Sequence, residues 1–198
     1  MGVYGGILVP GLLLLSIDAR FAAALSLFLQ VLVIPLGAGT HHRMGNYTRS
    51  VAVPLIVGGM IGSFLGPFFA VLLPKDVIAR LVAGLIVIVG LVVLTTLRFR
   101  GLSDIRPDHE TPTARIGGIG AVAGFSSGLS GAGWGPIGIN LLILSRIDPR
   151  QAVGSSLVAR VFMAASAVVA YLISASAFQS VTPDWWIVLP LFAGHWPR

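Results

Sequence analysis

Residues 116–145 read Ile-Gly-Gly-Ile-Gly-Ala-Val-Ala-Gly-Phe-Ser-Ser-Gly-Leu-Ser-Gly-Ala-Gly-Trp-Gly-Pro-Ile-Gly-Ile-Asn-Leu-Leu-Ile-Leu-Ser, without a single charge. As one helix this stretch would be about 45 Å long, against about 30 Å for the hydrocarbon core of a bilayer. A continuous helix through Gly131-Ala-Gly-Trp-Gly-Pro136 is disfavoured. Each Gly costs about 1 kcal/mol relative to Ala, and Pro removes a backbone donor. The pattern predicts two helical pieces joined by an unwound turn near Gly131, Gly133, Gly135 and Pro136. Within a membrane such a break survives only where protein or a water-lined cavity satisfies the freed backbone. The other reading is close helix packing through small residues, which suits Gly117, Gly120, Gly124 and Gly128 at three- and four-residue spacing.

The rest of the chain has the same character. Of 198 residues, 56% are hydrophobic and 10% charged, with a mean hydropathy of +0.93. A soluble domain carries about 25% charged residues, so these few cannot coat a water-facing globule. A disordered tail is excluded by the apolar content, and a disulfide-stapled module by the absence of Cys. Uncharged runs cover Met1–Ile17, Phe21–Thr40, Val51–Pro74, Leu81–Leu97, Ile116–Ser145, Val161–Pro183 and Trp185–Gly194. None alternates with period two, so helices are expected rather than a barrel. The fold class is all-α: a polytopic transmembrane bundle, multi-pass in a cell membrane, with a bacterial inner membrane expected and the lipid bilayer as its partner.

The net charge of +6 does not mark a nucleic-acid protein. Its Lys and Arg residues lie singly or in pairs between apolar runs, as membrane-flanking charge does. Their distribution over alternate linkers is nearly even, so orientation stays open. Met1–Ile17 lacks the basic start and small-residue cleavage site of a signal peptide.

A duplication organises the chain. Tyr4-Gly-Gly-Ile-Leu-Val-Pro-Gly-Leu-Leu-Leu-Leu-Ser-Ile-Asp-Ala-Arg-Phe-Ala22 aligns without gaps on Trp134-Gly-Pro-Ile-Gly-Ile-Asn-Leu-Leu-Ile-Leu-Ser-Arg-Ile-Asp-Pro-Arg-Gln-Ala152, at an offset of 130. The shared Ile-Asp-x-Arg corner and aromatic-Gly step are more specific than the Leu and Ile matches. Residues 1–97 form a first transmembrane repeat, 98–115 a solvent loop and 116–198 a second repeat. Ile116–Ser130 has no counterpart before Met1, and 70–97 has none before the chain stops. Both repeats are therefore expected to be truncated at their outer ends. The repeats are inverted only if each crosses the membrane an odd number of times.

These residues together resemble the TauE/SafE family of membrane transporters, often called sulfite exporters. The resemblance is carried by Ala123-Gly-Phe-Ser-Ser-Gly-Leu-Ser-Gly-Ala-Gly-Trp-Gly135, by Gly2-Val-Tyr-Gly-Gly-Ile-Leu-Val-Pro10, and by Ala152-Val-Gly-Ser-Ser156. Pro136 replaces a Gly of the cluster, and Asn140 stands where Pro is common. The resemblance implies a secondary carrier or exporter of small anions such as sulfite, sulfonates or organosulfur acids. It leaves open a uniporter or channel, self-association into a homo-oligomer, and a non-transporting membrane subunit or paralogue of the same family.

Arg160 lies near the middle of a span with no Asp or Glu in the surrounding run. An arginine there costs about 2.5–3.5 kcal/mol on insertion scales and faces an interior or cavity. An anion could neutralise it, or it could hold backbone carbonyls and serve the fold alone. Ser156 is one turn earlier on the same face, and Ser26 and Gln30 are the repeat partners. The expected substrate-binding set is Gly5, Gly6, Ser26, Gln30, Gly131, Gly133, Gly135, Pro136, Asn140, Ser155, Ser156 and Arg160. No catalytic residue, metal site or cofactor is expected. The sequence has no P-loop and no His-Glu-x-x-His. His41-His42-Arg43 and Asp108-His-Glu110 read as solvated turns. Ser126, Ser127 and Ser130 have no His in a span to activate them.

Overall fold

The computed structural model describes residues 4–74, 111–131 and 135–174, with scattered positions between 76 and 95. Among the described residues all regular structure is helical and there is no strand. The helices are α1 (Tyr4–Leu14), α2 (Ala19–Arg43), α3 (Arg49–Leu72), α4 (Thr113–Ser130), α5 (Gly135–Leu144) and α6 (Pro149–Ile173). Described positions between 76 and 95 are also helical.

Three of these, α2, α3 and α6, are long and apolar enough to cross a membrane. Two are much shorter. With 11 and 10 residues, α1 and α5 reach about 15 Å at 1.5 Å per residue, half a hydrocarbon core. The apolar run from Ile116 to Ser145 is thus two helices, α4 and α5, either side of Gly131. Two boundaries shift from the sequence expectation. Helix α4 begins at Thr113, inside the 98–115 loop, and α2 continues through His41 and His42 to Arg43.

The turns after α1 and α5 are built alike. Ser16 and Arg146 take left-handed backbone conformations, with φ of 60° and 64°. Ile17 N–H donates to Leu12 O at 3.1 Å and Ser16 N–H to Leu13 O at 2.9 Å. Ile147 donates to Leu142 O at 3.2 Å and Arg146 to Ile143 O at 2.9 Å. This pairing satisfies the carbonyls left open at a helix C-terminus. Asp18 then caps α2 by accepting from Arg20 N–H, and Asp148 caps α6 by accepting from Arg150 and Gln151 N–H. Both capped helices are 25 residues long.

Helices α3 and α4 meet along a seam of glycines. Gly58, Gly59, Gly62 and Gly66 of α3 lie against the backbone of Gly117, Ala121, Gly124, Phe125 and Gly128 of α4, except that Gly59 also abuts Met163 of α6. A methyl group at Gly120 would stand 2.8 Å from Leu55 O, and one at Gly124 would collide with the Gly59 backbone. Gly117, Gly120, Gly124 and Gly128 therefore do pack as small residues, against the backbone of Leu55, Gly58, Gly59 and Ser63 on α3.

Helices α2 and α6 cross antiparallel. Ile34 and Ala38, in the C-terminal half of α2, pack with Leu157 from the N-terminal half of α6. Ala23 and Leu27 of α2 share a cluster with Ala164, Ala167 and Tyr171 of α6. The interior is dominated by small side chains, with Ala22, Ala23, Ala52, Ala159, Ala167 and Ala170 fully enclosed. Large apolar groups, among them Phe28, Leu36, Val57, Phe69 and Leu172, point outward. That arrangement suits a bundle whose solvent is lipid, where close backbone approach replaces hydrophobic collapse.

Candidate functional site

Four polar side chains meet where α2 and α6 cross. Ser26, Gln30, Ser156 and Arg160 are all at most 3% exposed. Ser26 and Gln30 sit one turn apart on α2, and Ser156 and Arg160 one turn apart on α6, so each pair shares a face. Arg160 and Gln30 are each the twelfth residue of a 25-residue helix. They lie midway along their helices and touch.

The hydrogen bonds run in one chain. Arg160 Nη2 donates to Gln30 Oε1 at 3.0 Å. Gln30 Nε2 donates to Gly131 O at 3.1 Å and to Ser26 Oγ at 3.2 Å. Ser26 Oγ donates to the same Gly131 O at 2.7 Å. Gly131 caps α4 in the left-handed conformation, φ 61°, with its N–H on Ser127 O at 2.8 Å. Its Cα has no room for a side chain, because a Cβ would enter the backbone of Ala23. The C-terminal end of α4 is therefore fastened to α2 by a carbonyl with two donors. One turn earlier, Tyr171 of α6 donates its hydroxyl to Gly128 O at 3.3 Å.

Arg160 Nε and Nη1 and Ser156 Oγ are buried and have no hydrogen-bond partner among the described residues. The sequence of α2, α3 and α6 holds no Asp or Glu. A buried guanidinium with open donors and no carboxylate is a demanding arrangement, because an unpaired charge in a low-dielectric interior costs several kcal/mol. A planar guanidinium carries a fork of N–H donors of the kind that receives oxyanions.

The structure places the other sequence-derived candidates as follows. Gly135 and Pro136 open α5, where Pro is tolerated because first-turn N–H groups have no helical acceptor. Gly5 and Gly6 lie within α1, and Asn140 is half-buried on α5. Gly133 lies outside the described residues. Ser155 faces elsewhere: its hydroxyl accepts from Thr48 N–H at 3.2 Å and donates to Thr48 O at 3.4 Å, tying α6 to the α2–α3 turn. Among the described residues no three His, Asp or Glu side chains gather to hold a metal ion. The sequence sets Gln30 and Ser26 opposite Arg160 and Ser156 across one site; the direct Gln30–Arg160 hydrogen bond is what the structure adds.

Antiparallel apolar spans around a buried polar crossing are those of a multi-pass membrane protein. The family model for the sulfite exporter TauE/SafE matches residues 1–197, and the chain belongs to that family. It is 30% identical over 198 residues to the probable membrane transporter protein YtnM of Bacillus subtilis, covering 98% of this chain and 65% of that protein. It is 29% identical over 140 residues to the probable membrane transporter protein YdhB of the same organism, covering 69% of this chain and 56% of that protein. The chain thus spans somewhat under two thirds of the length of these relatives. No solved structure matches it.

Proposed function

We propose that this chain forms the core of a secondary carrier for small sulfur-containing oxyanions, such as sulfite or a sulfonate, with Arg160 and Ser156 receiving the anion. One observation carries the reading: a guanidinium at mid-span, 3% exposed, keeps Nε and Nη1 without partners and, among the described residues, faces no carboxylate. An oxyanion supplies several oxygen acceptors and the missing negative charge together. Ser156 Oγ, one turn away, adds a further donor. Ser26 and Gln30 hold the C-terminal end of α4 against the site, so its walls come from both halves of the chain.

The architecture is read as two homologous repeats of opposite orientation. Helices α2 and α6 have equal length, equivalent caps and equivalent preceding corners at an offset of 130. They cross antiparallel with equivalent residues in contact. A two-fold axis in the membrane plane, passing between Gln30 and Arg160, accounts for all of this. Such inverted repeats around a broken segment suit alternating access, in which one repeat rocks against the other.

The test is flux of sulfite and of a sulfonate into proteoliposomes holding the purified chain, with Arg160→Gln alongside. Flux lost in Arg160→Gln supports the carrier and its site. Equal flux in the two removes Arg160 from transport. A folded chain without flux favours a non-transporting family member.

A further inference from the structure

We propose that Gln30 sets the charge selectivity of the site: it holds Arg160 in place without neutralising it. The inference rests on the reading of Arg160 as the anion-receiving group. Position 30 faces two opposite demands. On one side stands Gly131 O, an acceptor 3.1 Å from Gln30 Nε2. On the other stands Arg160 Nη2, a donor 3.0 Å from Gln30 Oε1. A side chain there must donate at one end and accept at the other.

An amide does both. Glu would present oxygen to Gly131 O, two acceptors in repulsion, and would form a buried ion pair with Arg160. Lys or Arg would satisfy Gly131 O but set a second cation against the first. Met fills similar space, carries no charge and satisfies neither partner. Of these, only Gln fixes the geometry while leaving the guanidinium with its whole charge. Gln30 is also 2% exposed, so water cannot replace either bond. The bond to Ser26 Oγ at 3.2 Å engages the second amide hydrogen, which fixes which end of the amide faces Arg160.

The claim concerns charge, and two variants separate charge from contact. Gln30→Glu keeps an acceptor for Arg160 and cancels its charge. Gln30→Met removes the contact and keeps the charge. The measurement is thermal unfolding of the full chain in detergent, titrated with sodium sulfite and with sodium methanesulfonate against sodium chloride at constant ionic strength. A ligand that binds only the folded state raises the melting temperature, the more so the tighter it binds at a given concentration.

The expected result is a rise for the unaltered chain, a smaller rise for Gln30→Met, which loses the contact that orients Arg160, and none for Arg160→Gln. Gln30→Glu should weaken apparent affinity by roughly tenfold or more, because its carboxylate competes for the same guanidinium. A response in Gln30→Glu equal to that of the unaltered chain, with Arg160→Gln silent, overturns the role of Gln30 alone. So does a response lost as fully in Gln30→Met as in Gln30→Glu, since contact rather than charge would then matter. If Gln30→Glu does not fold, a response abolished in Gln30→Met as fully as in Arg160→Gln overturns the role of Gln30. No response in the unaltered chain, or an undiminished response in Arg160→Gln, overturns the anion site and this inference together.

Discussion

Gln30 and Arg160, separated by 130 residues, are joined by a hydrogen bond of 3.0 Å where α2 and α6 cross. The separation equals the offset between the two duplicated segments. Under the two-fold relation proposed above, equivalent positions touch only where the axis passes between them. The contact thus ties a sequence pattern, a helix crossing and a buried cation to one point.

Arg160→Lys separates charge from shape at that point. Lysine keeps the positive charge but offers a compact ammonium in place of a planar fork. Sulfite flux in proteoliposomes should fall by roughly tenfold and remain measurable. Arg160→Gln should abolish it.

The antiparallel crossing of α2 and α6 makes a topological prediction. Ser16 precedes α2 and Arg146 precedes α6, so single cysteines at these positions should label from opposite faces of the membrane. The chain has no Cys, which leaves no background reaction. Labelling of both from one face with an impermeant maleimide would refute the inverted arrangement.

The glycine seam should tolerate a methyl group at some positions and reject it at others. Gly124→Ala places a Cβ against the Gly59 backbone and should destabilise the chain by about 1–3 kcal/mol. Gly118→Ala meets nothing within 4 Å, so it should be neutral or stabilising by up to about 1 kcal/mol through helix propensity. Paired thermal melts in detergent compare the two directly.

The cap of α6 offers a smaller effect of known sign. Asp148 Oδ1 accepts from Arg150 N–H at 2.9 Å and Gln151 N–H at 3.3 Å. Asp148→Ala should cost about 1 kcal/mol, while Asp148→Asn should retain most of the cap. The same melts would read both.

Local features were legible in the sequence, and pairings were not. The break in residues 116–145 could be read because Gly and Pro carry their backbone preferences wherever they stand. The corners at Ser16 and Arg146 could be read because Ile-Asp-x-Arg recurs. Arg160 was conspicuous because a charge is rare in an apolar run. The partners of Gly117, Gly120, Gly124 and Gly128 were not legible, because glycine has no side chain to name its neighbour. Ser155 and Ser156 are adjacent and chemically identical, yet one faces Thr48 and the other lies one turn from Arg160 on its face. Helical phase separates them by about 100°, and only the packing of α6 decides which faces inward. Gln30 looked like a ligand group, and it also bridges Gly131 and Arg160.

The seam between α3 and α4 has a mechanical consequence. Carbonyls of each helix lie in notches left by the other's missing side chains, from Gly58 to Gly66 and from Gly117 to Gly128. Sliding one helix past the other by a single residue would drive a Cβ into one of those carbonyls. The two helices are therefore keyed together like a shaft and collar, free neither to slip nor to rotate separately. In the alternating access proposed above, this pair would move as one beam.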